Sequence, residues 1–207
     1  RGGYCFEQNL LFGHVLRALG FKLREATARV RWSVPPGVHT PRVHALLIVE
    51  AEGESYLVDV GFGGNVATGP LLLKSRAEQA TPHEPFRLVA EEHRLVVEAK
   101  IGGEWTSLYA TDLAESIPAD FEMGNWFTSA HPGSIFVNGL LAARADADRR
   151  YALFNNGLSV HKLKGGTEKR TLNARELRDA LGDLFKIRLD GLDGLDAALA
   201  RLAAATA

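Results

Sequence analysis

Apolar residues recur at helical spacing through the first twenty positions. Leu10, Leu11, Val15, Leu16 and Leu19 form a stripe, and Gly20 supplies a stop. The pattern predicts a helix with Cys5 in its first turn and an apolar face that needs partners. From residue 21 the period drops to two. Val30, Trp32 and Val34 alternate with polar neighbours over a strand at 21–34 that Pro35-Pro36-Gly37 ends. Strands follow at 43–50 and 56–60, joined across the polar segment Ala51-Glu52-Gly53-Glu54-Ser55. Gly61-Phe62-Gly63-Gly64-Asn65 reads as a loop. Shorter alternating runs at 86–90, 95–101 and 105–109 complete an antiparallel sheet, expected to curl into a barrel.

Behind the barrel the pattern predicts a short helix at 121–130, a strand at 134–142 and a polar linker at 143–150. A hairpin at 151–163 and a strand at 168–172 come next. Asn173 and Glu176 are placed as a capping box for a helix at 174–185. An alanine- and leucine-rich helix at 192–205 ends the chain.

Composition narrows the function classes. The 207 residues suffice for one large domain or two small ones. A net charge of −1 gives no support to nucleic-acid or anionic-membrane binding. No apolar run reaches the length of a membrane span, and no signal peptide is visible. The single cysteine, Cys5, cannot form an internal disulfide, which suits a reducing cytosol and predicts a cytoplasmic protein. One cysteine and scattered histidines lack zinc-ligand spacing, so no metal is expected.

The candidate chemistry gathers on Cys5, His44 and Asp59. Cys5 follows Gly2-Gly3, where the chain can turn sharply and a substrate can approach. At a helix start, unpaired N–H groups and the helix dipole stabilise negative charge on a sulfur. A thiolate nucleophile needs a base, and the base needs a third group to orient it. His44 and Asp59 lie at equal sequence distances from the middle of the 51–55 turn, which predicts cross-strand neighbours on one face. Asp59 stands within Tyr56-Leu57-Val58-Asp59-Val60, and a carboxylate in so apolar a run needs a partner.

These residues carry a resemblance. Arg1-Gly2-Gly3-Tyr4-Cys5-Phe6-Glu7-Gln8-Asn9 resembles the active-site signature of arylamine N-acetyltransferases. His44-Ala45-Leu46-Leu47-Ile48-Val49 and Tyr56 to Gly63 resemble that family's histidine and aspartate segments, and Asn125 to Phe136 a later motif. The resemblance implies an α+β fold. A cysteine-protease-like catalytic helix (residues 1–20) would pack on an antiparallel β-barrel (21–143), followed by a small α/β lid domain (144–207). It also implies a helical domain ahead of Arg1, of which only the Cys5 helix stands here. This predicts a shortened polypeptide or a longer gene product.

The implied activity is acetyl transfer from acetyl-CoA, as co-substrate, to aromatic amines, hydrazines or hydroxylamines, a chemistry of xenobiotic metabolism. Cys5, His44 and Asp59 would be catalytic, in a ping-pong route through S-acetyl-Cys5. Phe62, Phe136 and Val43 would border the acceptor and acetyl group. Gly63 and His161 would border CoA, and Arg1 and Glu7 would form a structural ion pair. Three other readings stay open: an amide synthase of the same superfamily, a papain- or transglutaminase-like hydrolase with the same Cys…His…Asp order, and a non-catalytic fragment.

Overall fold

The computed structural model describes residues 2–35, 37–163 and 165–204. Arg1 lies outside them, and with it the expected Arg1–Glu7 ion pair. The chain divides into two compact units, Gly3–Ser134 and a second made of Gly2 and the chain from Ile135 onward.

The first unit opens with helix α1, Cys5–Ala18. The Glu7 carboxylate accepts a hydrogen bond from the Tyr4 N–H at 3.1 Å, which satisfies a backbone donor at the helix start. The buried face differs from the apolar stripe read in the sequence. Cys5, Phe6, Asn9 and Gly13 face inward, whereas Leu11, Val15 and Leu19 are 63%, 45% and 69% exposed. Gly13 lies on the inward face, where a Cβ would make an ordinary 3.4 Å contact with the Leu47 side chain.

Seven strands make the antiparallel sheet: β1 Lys22–Val30, β2 Arg42–Ala51, β3 Glu54–Val58, β4 Leu71–Leu72, β5 Phe86–Glu91, β6 Arg94–Ile101 and β7 Glu104–Thr111. Their order is β4-β3-β2-β1-β7-β6-β5. Leu71 on one edge strand and Phe86 and Leu88 on the other join a single core cluster with Leu46, Ile48, Leu57, Val97 and Leu108. Both edges thus turn toward one core, and the sheet is nearly closed and barrel-like. The strand expected at 21–34 ends at Val30; Trp32 and Val34 lie beyond it.

The β2–β3 hairpin corrects the expected register. Ala51 pairs with Glu54 and Leu47 with Val58. The turn is therefore Glu52-Gly53, both at positive φ (54° and 79°), the twist that suits a two-residue hairpin. The ladder is two residues away from the one that sets His44 opposite Asp59. A slip of two preserves the face, so both side chains still point the same way.

Helix α2, Pro118–Ala130, starts earlier than expected, because Pro118 suits the first turn. It packs Phe121 against Phe6, with ring centroids 6.0 Å apart. At Gly124 a Cβ would stand 2.7 Å from the Phe6 ring, so only glycine allows this approach.

The second unit corrects two readings. The strand expected at 134–142 is helix α3, Ile135–Asn138, followed by β8, Leu141–Ala145. The residues read as a linker are thus partly β8. Strands β9 Arg149–Phe154, β10 Gly157–Lys162 and β11 Thr167–Thr171 complete a sheet ordered β11-β10-β9-β8. Helices α4, Ala174–Asp183, and α5, Leu195–Ala204, share a core with Leu153 and Leu158. The expected cap is present: Asn173 Oδ1 accepts from the Glu176 N–H, and the Glu176 carboxylate accepts from the Asn173 N–H, both at 3.0 Å. Among the described residues no helix is long and apolar enough to cross a membrane.

Candidate active site

Three segments of the first unit converge below the start of α1. Cys5 is the first helical residue and is 6% exposed. Its sulfur lies 3.6 Å from the Val43 carbonyl oxygen. Val43 precedes His44, so this contact sets the sulfur beside the histidine's own strand.

His44, 3% exposed, points inward from β2. Its Nε2–H donates to Asp59 Oδ2 at 2.6 Å, which fixes the tautomer and leaves Nδ1 for the sulfur. Burial by itself lowers the pKa of His44. The Asp59 charge and hydrogen bond override it, and the Cys5 hydrogen bond and charge add to them, so the pKa rises to about 10. The ring therefore carries a proton at neutral pH.

Asp59 follows the last residue of β3 and is 2% exposed. Burial raises its pKa, yet the value falls, because the His44 charge and hydrogen bond, the Asn9 side chain and the Gly61 N–H all favour the carboxylate. Asn9 Nδ2 donates to Oδ1 at 3.0 Å and the Gly61 N–H donates to it at 2.8 Å. The buried charge is thus paired on one oxygen and hydrogen-bonded on the other.

Aromatic rings wall the cluster. The Tyr109 ring stands 4.7 Å and the Phe62 ring 5.1 Å from the His44 ring, and they are 5.0 Å from each other. Tyr109 is 1% exposed, and its hydroxyl makes no fully formed hydrogen bond to a described group. Burial first, then the charge and loose hydrogen bonding of Asp59, push its pKa well up, so the phenol stays neutral.

Of the expected residues, Cys5, Val43, His44, Asp59 and Phe62 come together, with Gly63 next to Phe62 at the head of a 3-10 turn, Gly63–Asn65. Phe136 and His161 belong to the second unit. Phe136, on α3, is 47% exposed, so it is not core packing. His161 lies on β10, its Nδ1 2.8 Å from Thr167 Oγ1. Three residues escaped the sequence reading: Asn9, Gly61 and Tyr109. For Asn9 a signal existed, since it stands four residues after Cys5 and so on the same helix face. Tyr109 carried none, being one more apolar-facing strand residue.

A family model described as N-acetyltransferase matches residues 1–193. An arylamine N-acetyltransferase of Mycobacterium bovis is 42% identical over 193 residues, 91% of this chain and 68% of that protein. One from Mycolicibacterium smegmatis is 40% identical over 201 residues, covering 95% of this chain and 72% of that one. Among solved structures, Mycobacterium marinum arylamine N-acetyltransferase in complex with CoA matches with a TM-score of 0.93. It is 41% identical, over 98% of this chain and 77% of that chain.

Proposed function

This chain belongs to the arylamine N-acetyltransferase family, and on that footing we propose that it carries an acetyl group from acetyl-CoA to an aromatic amine, hydrazine or hydroxylamine. The route is ping-pong, through a thioester on Cys5. The observation that carries it is the buried line of Asp59, His44 and Cys5, with His44 bonded to Asp59 at 2.6 Å and the sulfur acting on the same ring.

The Cys5 proton rests on His44 Nδ1, and the sulfur attacks the acetyl carbonyl of acetyl-CoA. The carbonyl electron pair moves to oxygen, where the Cys5 N–H at the helix start stabilises it. As the oxyanion collapses, the C–S bond to CoA breaks and His44 returns its proton to the departing thiolate. Acetylation removes the Cys5 charge that helped to raise the His44 pKa, so the ring becomes less basic and loses its proton more easily. Neutral His44 then takes a proton from the incoming amine as the amine nitrogen attacks the thioester. The Cys5 sulfur leaves and the amide departs. Asp59 keeps the imidazole oriented in both halves.

Phe62, beside the His44 ring, and Val43 line the acceptor side in this reading, and Gly63 the CoA side. From the resemblance alone, Phe136 serves the aromatic acceptor and His161 serves CoA. As functional parts we propose a nucleophile helix at 1–20, a barrel at 21–143 and a small α/β domain at 144–207. A cytoplasmic place and a role toward xenobiotic amines belong to the same proposal, the first supported by the single cysteine and the second by the family resemblance alone.

Rapid mixing with acetyl-CoA and no amine tests it. The expected result is a burst of free CoA approaching one equivalent of protein, followed by slow turnover that an arylamine accelerates. No burst, or CoA release only together with amine, would contradict a covalent intermediate.

A further inference from the structure

One side-chain amide ties together all three segments that carry the cluster. Asn9, 0% exposed, sits one helical turn after Cys5. Its Nδ2 donates to the Ala45 carbonyl at 2.7 Å and to Asp59 Oδ1 at 3.0 Å. Its Oδ1 accepts from the Val60 N–H at 2.9 Å. Ala45 follows His44 and Val60 follows Asp59, so the amide binds helix α1 to the strand of the base and to the segment of the carboxylate. The amide's orientation is not ambiguous, because a carbonyl and a carboxylate demand its NH2 end and a backbone N–H demands its oxygen.

Gly61 closes the same joint. A Cβ there would stand 2.6 Å from the Cys5 Cα and 2.7 Å from Asn9 Nδ2. The helix therefore has no slack against the loop after Asp59. With Asn9 Nδ2 and the Gly61 N–H both on Oδ1, the carboxylate cannot rotate, and Oδ2 is presented to His44 Nε2.

We propose that Asn9 is a positioning residue for the acyl transfer: it locks the rotation of Asp59 and registers the nucleophile helix against the strand of His44. This rests on the reading of Cys5, His44 and Asp59 given above. The alternative is a buried asparagine that only stabilises the fold.

Asn9→Ala removes all three bonds. Asn9→Asp preserves shape but, when ionised, offers no donor and sets a second carboxylate against Asp59. The charged group bonded to this position is Asp59, which interacts in turn with His44 and the Tyr109 phenol, and His44 with the Cys5 sulfur. The like charge raises the pKa of the introduced carboxyl. Once protonated, it again has a hydrogen to give Asp59.

Two rates are measured on the folded variants against pH: single-turnover acylation by acetyl-CoA, and alkylation of Cys5 by iodoacetamide. Asn9→Ala is expected to slow both by about 10- to 100-fold, the worth of hydrogen bonds to a charged group. Half-saturation by acetyl-CoA should stay within about twofold, since Asn9 does not touch that substrate in this account. Asn9→Asp should lose as much at about pH 8 and recover toward wild type by about pH 6, as the introduced carboxyl protonates.

Wild-type rates in folded Asn9→Ala, wild-type rates in Asn9→Asp at about pH 8, or an Asn9→Asp deficit that does not change with pH, would overturn the proposal. Should Asn9→Ala fail to fold, the shape-preserving variant decides alone. Alkylation without acetylation in the wild type would count against the acetyl-CoA reading, and the alkylation series would still decide the role of Asn9.

Discussion

At the scale of single residues, the cluster depends on charge being favoured where burial opposes it. His44 and Asp59 are each nearly inaccessible, yet the imidazolium and the carboxylate are the favoured forms, because each supplies the other's counter-charge. The folded His44 pKa stands above its ordinary 6.5, so its contribution to stability is complete below about pH 6.5 and is lost as pH rises to about 10. Asp59 works in the opposite sense. Its contribution is present above its ordinary value of 3.8 and fades as pH falls through the lowered one. The melting temperature of the wild type relative to His44→Gln should therefore decline between neutral pH and about pH 10. A difference that is flat with pH would contradict the raised His44 value. Nitrogen-15 NMR of labelled histidine should likewise show His44 as an imidazolium at about pH 8, and Asp59→Asn should abolish that signal.

At the scale of elements, α1 illustrates what hydrophobic patterning can and cannot disclose. The helix was legible, with its start at Cys5, but its inward face was not. Periodicity marks where apolar residues lie, and here the inward face carries Cys5, Phe6 and the polar bonds of Asn9. The two faces should respond differently to substitution. Leu19→Gln, on the outward face, should change stability by no more than about 0.5 kcal/mol in this chain. Phe6→Ala, which removes a ring packed on Phe121, should cost about 3–5 kcal/mol. Chemical denaturation of the two variants measures both.

The hairpin carries a similar lesson. Glu52-Gly53 makes the turn, two residues away from the symmetric pairing, but the shared face survives because the side-chain period of a strand is two. Asn173 and Glu176 were legible as a cap from spacing alone, and Asn173→Ala should cost about 1 kcal/mol.

At the scale of the whole molecule, the α+β architecture and the family were visible in the sequence, since long alternating runs and three ordered motifs are strong local signals. Less legible was the segment after Ser134. Ile135-Phe136-Val137 reads as strand by its β-branched and aromatic side chains, yet Ile135–Asn138 forms a single helical turn with Ile135, Phe136 and Val137 all substantially exposed. Likewise, Tyr109 joins the site because β7 pairs with the far side of β1 from β2, which sets its ring two strands from His44. Such a contact depends on a long-range strand order, which has no signature in local pattern.

In the proposed route the Cys5 sulfur, served by His44, accepts the acetyl group itself. Intact and peptide mass measurement after incubation with acetyl-CoA alone addresses it most directly. The expected result is one acetyl adduct located on Cys5, absent in Cys5→Ser and discharged by an added arylamine. Folded protein that stays unmodified, or an adduct on another residue that the amine does not remove, would contradict the account.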